Sequence, residues 1–131
     1  MFEVGDSFVL QNELGEHMHV IVAEASDREN CEVMLVYLTS ATSYRDSTTI
    51  IKYGEHPFVT KVDQISWIKY QNVRIYARND LKKLIVEDYG KIDGELLRRI
   101  QDGIEKSKFT SKENKNLFRQ WHMGRLYRNL T

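Results

Sequence analysis

Val33-Met34-Leu35-Val36-Tyr37-Leu38-Thr39-Ser40 is a strongly apolar run that drops straight into a polar segment, Ala41 to Thr48. Such a run bounded by turn-forming residues reads as a strand, here Glu32 to Leu38, whose end opens onto a loop. Strand ends facing loops are where a small β-barrel exposes its working groups. Working outward, Ser7 to Gln11 follows the turn signal Gly5-Asp6 and reads as a first strand. Met18 to Ala23 is a second, and its β-branched centre suits burial on both faces. Ser26 to Asn30 is the polar hairpin connection between the second strand and the third. Thr48 to Lys52, Gln64 to Lys69 and Val73 to Ala77 continue the pattern, with Tyr70-Gln71-Asn72 as a turn. Pro57, beside Gly54, marks an edge or turn and not a central strand.

Beyond Asn79 the period changes from two to about 3.6. Asp80 caps a short helix carrying Leu81, Leu84 and Ile85, and Asp93 caps a longer one with Leu96, Leu97, Ile100 and Ile104 on one face. Thr110-Ser111-Lys112-Glu113 has the pattern of a capping box, with Thr110 at the cap. Leu117 and Trp121 form a stripe on that last helix. The fold class expected is α+β: a small antiparallel SH3-like barrel of five to seven short strands, followed by C-terminal helices. Antiparallel pairing follows because the connections are too short for parallel crossovers.

At 131 residues the chain is long enough for one domain with a real core. It divides into a barrel with its closing helix, residues 1–107, and a basic helical extension, 108–131. An apolar fraction of 41% and a charged fraction of 29% exclude a disordered or membrane-spanning class. The start, Met1 to Asp6, has neither a basic stretch nor an apolar signal core, so a cytoplasmic location and no membrane partner are expected. The single Cys31 forms no internal disulfide and reads as a packed thiol.

Net charge is zero but unevenly spread. Residues 1–105 carry 12 Lys+Arg against 18 Asp+Glu, a balance of −6, and residues 106–131 carry 7 against the lone Glu113, a balance of +6. A basic tail of this kind approaches a phosphate backbone or an acidic partner, lies across its own acidic body, or is a solvated helix.

Cysteine pairs, helical His-x-x-x-His spacing, glycine-rich phosphate loops and Gly-x-Ser-x-Gly are all missing from the sequence. No metal and no cofactor is expected. What remains is chemistry by hydroxyl, imidazole and cationic groups, such as RNA cleavage by its own 2′-hydroxyl. That reaction needs a base, an acid and a cation on the phosphorane. His17 and His19 stand two apart on one side of a strand, and His56 lies in Gly54-Glu55-His56-Pro57-Phe58. Imidazoles titrating near neutrality suit both proton transfers. Thr39 and Ser40 offer hydrogen bonds to a phosphate oxygen, and Arg45, Lys52 and Lys61 offer charge.

The order of elements resembles the MazF/PemK-like toxin family from Val4 to about Ser107. The resemblance lies in Gly5-Asp6, Glu13-Leu14-Gly15-Glu16, Val20-Ile21-Val22, Leu38-Thr39-Ser40, Val62-Asp63-Gln64-Ile65 and the helix Glu95 to Ile104. It implies a homodimeric SH3-like barrel that cuts single-stranded RNA without a metal and is held by a cognate antitoxin. Thr39 matches the family's catalytic Thr/Ser after the third strand. The family's arginine at the opening of strand two is replaced by Met18-His19, so His19, with His17 and His56 assisting, would take over its work. An imidazole is neither always charged nor a bidentate donor, so arginine chemistry does not transfer unchanged.

Two classes of function follow. One is a metal-independent endoribonuclease toxin using His19 and Thr39. The other is a catalytically inactive SH3-like barrel that binds nucleic acid or protein. Geometry discriminates them: an active site requires His19, Thr39 and His56 to converge in one groove.

Overall fold

Seven antiparallel strands form one sheet among residues 1–40 and 46–130, the part of the chain described by a computed structural model. They are β1 (Asp6–Asn12), β2 (Gly15–Glu24), β3 (Glu32–Thr39), β4 (Ile50–Lys52), β5 (Ile65–Ile68), β6 (Arg74–Ala77) and β7 (Ile85–Lys91). The strand order is β4-β5-β3-β2-β1-β7. β3 is the hub: β2 runs along one side, while β6 pairs with Glu32 to Leu35 and β5 with Leu38 and Thr39 on the other. Gly15, at φ 101°, closes the β1–β2 hairpin in a left-handed conformation that a side chain resists, and Asn12 Oδ1 accepts from Leu14 N–H across the turn at 2.8 Å.

The apolar run at β3 is continuous because the centre of the sheet is covered on both faces. One pleat, Met18, Val20 and Val22 with Met34, Val36 and Leu38, meets helix α2 (Gly94–Lys106) and helix α3 (Lys112–Leu130). The other pleat, Ile21, Val33 and Leu35, joins Phe8 and Leu10 of β1 and Leu81 of the short α1 (Leu81–Leu84) in a smaller cluster. Asp93 Oδ2 accepts from Glu95 and Leu96 N–H at 3.1 and 3.3 Å, the expected cap, and Leu96, Ile100 and Ile104 are buried as the helical period predicts.

Three expectations need correction. The sheet is not closed into a barrel: among the described residues β6 and β7 share no ladder and are joined by a 3₁₀ turn, Arg78–Asp80, and α1. Ile85 begins an edge strand instead of ending a helix. α1 stops after one turn, and the chain extends to satisfy the free edge of β1, Leu10 facing Ile85 and Asp6 facing Lys91. The cap of α3 is Ser111, whose Oγ accepts from Asn114 N–H at 3.1 Å, and not Thr110, which is buried.

The basic extension shares the main core through Phe118 and Trp121. Two of its cations turn back on the acidic body, Arg119 bidentate on Glu105 at 2.6 Å and Arg128 on Glu24 at 3.2 Å. Among the described residues no helix is long and apolar enough to cross a membrane.

Candidate functional site

Three of the predicted site residues meet where β2 begins and β3 ends. A cleft of about 350 Å³ is lined there by Glu16, His17, Thr39, Ser40, Gln64 and Phe58, among others. His17, Thr39 and Ser40 therefore come together across two neighbouring strands, as their positions near strand ends suggest.

The other two histidines do not join them. His19 faces Tyr37 across the β2–β3 ladder, and the Tyr37 ring lies 5.3 Å from His19 and 4.7 Å from His17. His19 is 1% exposed. Its Nδ1–H donates to the His17 carbonyl at 2.8 Å, which leaves Nε2 unprotonated, enclosed and without a hydrogen-bond partner. Burial pushes its pKa down to about 4, outweighing the bond to the His17 carbonyl, which favours the charged ring. At neutral pH this imidazole is uncharged, and its one N–H is committed to the His17 carbonyl.

His56 stands on the opposite face of the sheet. Its Nε2 is 2.9 Å from Ser7 Oγ, and Ser7 lies opposite Val20, whose side chain belongs to the main core. The Ser7 hydroxyl donates to the Gly90 carbonyl at 2.9 Å, so it must accept from His56 Nε2–H. Nδ1 then accepts from Phe58 N–H at 3.0 Å. Both ring nitrogens are committed, and the polarity of the Ser7–His56 bond is the reverse of the one that activates a hydroxyl nucleophile. Burial lowers the His56 pKa as well. This histidine pins the segment after β4 onto β1 and β7.

His17 differs from both. It is half-buried, burial and then the charge of Lys69 lower its pKa, and its Nδ1 is enclosed without a hydrogen-bond partner. The cationic residues are dispersed. Lys52 lines a separate cleft of about 520 Å³ between β4 and α2, with Thr48, Thr49, Arg99 and Lys106. Lys61 is exposed in the turn before β5, where its N–H donates to Gln64 Oε1 at 3.3 Å. Arg45 lies outside the described residues. Among the described residues no three His, Cys, Asp or Glu side chains are grouped to hold a metal ion.

No protein-family model matches the chain, and no curated protein matches it in sequence.

Sequence reasoning passed over Tyr37 and Trp67. Tyr37 sits inside the apolar run of β3, and only the register with His19 reveals that it carries both imidazoles. Trp67 faces Thr39 on one side and Ile50 on the other, forming a row across β3, β5 and β4. The alternation Ile65-Ser66-Trp67-Ile68 has apolar residues on both pleats, so it does not say which face is the core. The buried pair Ile51 and Ser66 decides it: Ser66 faces in, and Trp67 faces away.

Proposed function

We propose that the chain is a binding module for single-stranded RNA on an open, SH3-like sheet scaffold. The scaffold reading is supported by five strands in the order β7-β1-β2-β3-β6, curled around Phe8, Leu10, Ile21, Val33 and Leu35, with a short helical turn bridging β6 and β7. The observation that carries the function is the separation of the imidazoles. His19 is sealed and uncharged, with its one N–H held by the His17 carbonyl, and His56 is fully bonded through Ser7 and Phe58. Proton shuttling by a convergent histidine group has no geometry here, whereas a partly exposed strand-end cleft with hydroxyl and amide groups suits recognition.

The second reading, a metal-independent endoribonuclease toxin with a cognate antitoxin and a homodimeric state, is favoured by one observation: His17, Thr39 and Ser40 line the same cleft. His17, its pKa lowered, is a neutral base at pH 7, and Thr39 or Ser40 faces the phosphate; the leaving 5′-oxygen lacks an imidazole acid.

Incubating the purified protein in EDTA with a short labelled single-stranded RNA separates them. Fluorescence anisotropy is expected to report binding, and a denaturing gel intact RNA. Cleavage that His17→Ala or Thr39→Ala abolishes would replace the binding reading with the nuclease. Absence of any binding at low salt would sink both.

A further inference from the structure

Resting on that RNA-binding reading, we propose that Trp67 is a stacking platform for an unpaired base, and that Lys52 holds the phosphate beside it. Trp67 belongs to neither apolar cluster, although it is one of only two tryptophans in the chain; the other, Trp121, is built into the main core. An indole is the largest apolar side chain available, and leaving it partly exposed on a sheet forfeits burial that folding would otherwise use.

Its neighbours suit a nucleotide. Thr39 and Ile50 stand directly across the ladders on either side, and residues so opposed share one face of a sheet. Ile65, two residues before Trp67 and 42% exposed, lies on that face too, opposite Lys52. The row thus runs from the Thr39 cleft, over an aromatic ring, to an exposed ammonium.

Lys52, on the edge strand, also lines the β4–α2 cleft, where Arg99 and Lys106 add positive charge around that edge. Glu55 is engaged there by Arg99 and by the backbone N–H of Lys52; the Lys52 ammonium makes no salt bridge to it and adds only its field to the charges that hold the Glu55 carboxyl down. Asp102 is the remaining carboxylate of that cleft, leaving three cations against two anions. A single strand fits this arrangement better than a duplex, because only unpaired bases offer a free π-face to a ring on a sheet. An acidic peptide would use the lysines and leave the indole without a role.

Intrinsic fluorescence provides the test. Adding a short single-stranded RNA to the wild-type protein is expected to quench part of the tryptophan emission. Trp67→Phe, which leaves only Trp121 emitting, should show no RNA-induced quench. Trp67→Ala should weaken binding roughly ten-fold or more with an unchanged salt slope. Lys52→Ala should lower that slope by about one. Urea unfolding of each variant checks that the fold survives, and Trp67→Phe preserves the test if the alanine variant unfolds. Quenching that persists in Trp67→Phe would overturn the proposal, as would equal competition by duplex RNA or by an acidic peptide. If wild-type protein binds RNA and Trp67→Ala binds equally well, the platform alone is wrong. If wild-type protein binds no RNA, the underlying reading fails with it.

Discussion

Acid should destabilise this protein through His19, and the size of the effect follows from its burial. The unfolded chain presents an imidazole with the ordinary pKa of about 6.5. In the fold, desolvation beneath Tyr37 lowers that value to about 4. Between the two values the unfolded state binds the proton that the native state refuses, so stability falls as pH falls. The contribution is fully present above pH 6.5, declines through the window from 6.5 to 4, and changes no further below it. At roughly 1.4 kcal/mol per pH unit, lowering the pH from 8 to 5 removes about 2 kcal/mol, and the whole window about 3 kcal/mol. Against a typical total of 5 to 15 kcal/mol, roughly, this is large.

The assay is urea unfolding at pH 8 and pH 5, comparing wild type with His19→Phe. Phenylalanine keeps a ring against Tyr37 but cannot titrate. It also strips the His17 carbonyl of its donor, a cost of about 1 kcal/mol that is independent of pH. His17, His56 and His122 are shifted downward as well, by burial first, and they contribute equally to both proteins. The difference between the two curves therefore isolates position 19. His19→Phe should be the less stable protein at pH 8 and should lose about 2 kcal/mol less than wild type on going to pH 5. Parallel pH profiles for the two proteins would refute the argument and mean that His19 is hydrated in solution.

Gly103 in α2 is a position where alanine, usually the better helix residue, should do harm. A Cβ there would fall 1.9 Å from the Tyr70 hydroxyl and 2.5 Å from Thr49 Oγ1. Gly103→Ala should cost about 2 to 3 kcal/mol instead of gaining the ~1 kcal/mol that helix propensity offers, because Tyr70 must surrender its bonds to Thr49 and the Ile100 carbonyl. Thermal melts of the two proteins check the sign. Arg78 is 2% exposed, pairs with Glu24 at 2.8 Å and donates to the Arg28 carbonyl at 2.5 Å. Arg78→Met should cost about 3 kcal/mol by leaving the Glu24 carboxylate short of a partner, and adding Glu24→Gln should recover part of the loss; no recovery in the double variant would show that packing and not charge is responsible.

Much of the sheet was legible because period two is a local property. The strand residues of β1, β2, β3, β5 and β6 alternate or run apolar over lengths that turn residues delimit. β7 was not, because Val86, Glu87 and Asp88 on an edge bury little and leave no hydrophobic pattern. Closure is not readable from the sequence for a related reason. Whether the last strand meets its neighbour depends on twist and on the bulge between Ile21 and Ala23, neither of which is written in composition.

The site divides in the same way. Placing His17 and His19 on one side of β2 needs only alternation, but the protonation state of each depends on how deeply it sits, which is set by Tyr37 from another strand. The charge asymmetry of the chain carries a similar lesson. The excess of +6 at the C-terminus faces the −6 of the body, and Arg119 and Arg128 are drawn onto Glu105 and Glu24. A phosphate backbone approaching this protein therefore meets a tail whose field is partly cancelled by its own fold. On the proposed reading attraction comes instead from the body, where Lys52 stands next to the Trp67 row and shares the β4–α2 cleft with Arg99 and Lys106.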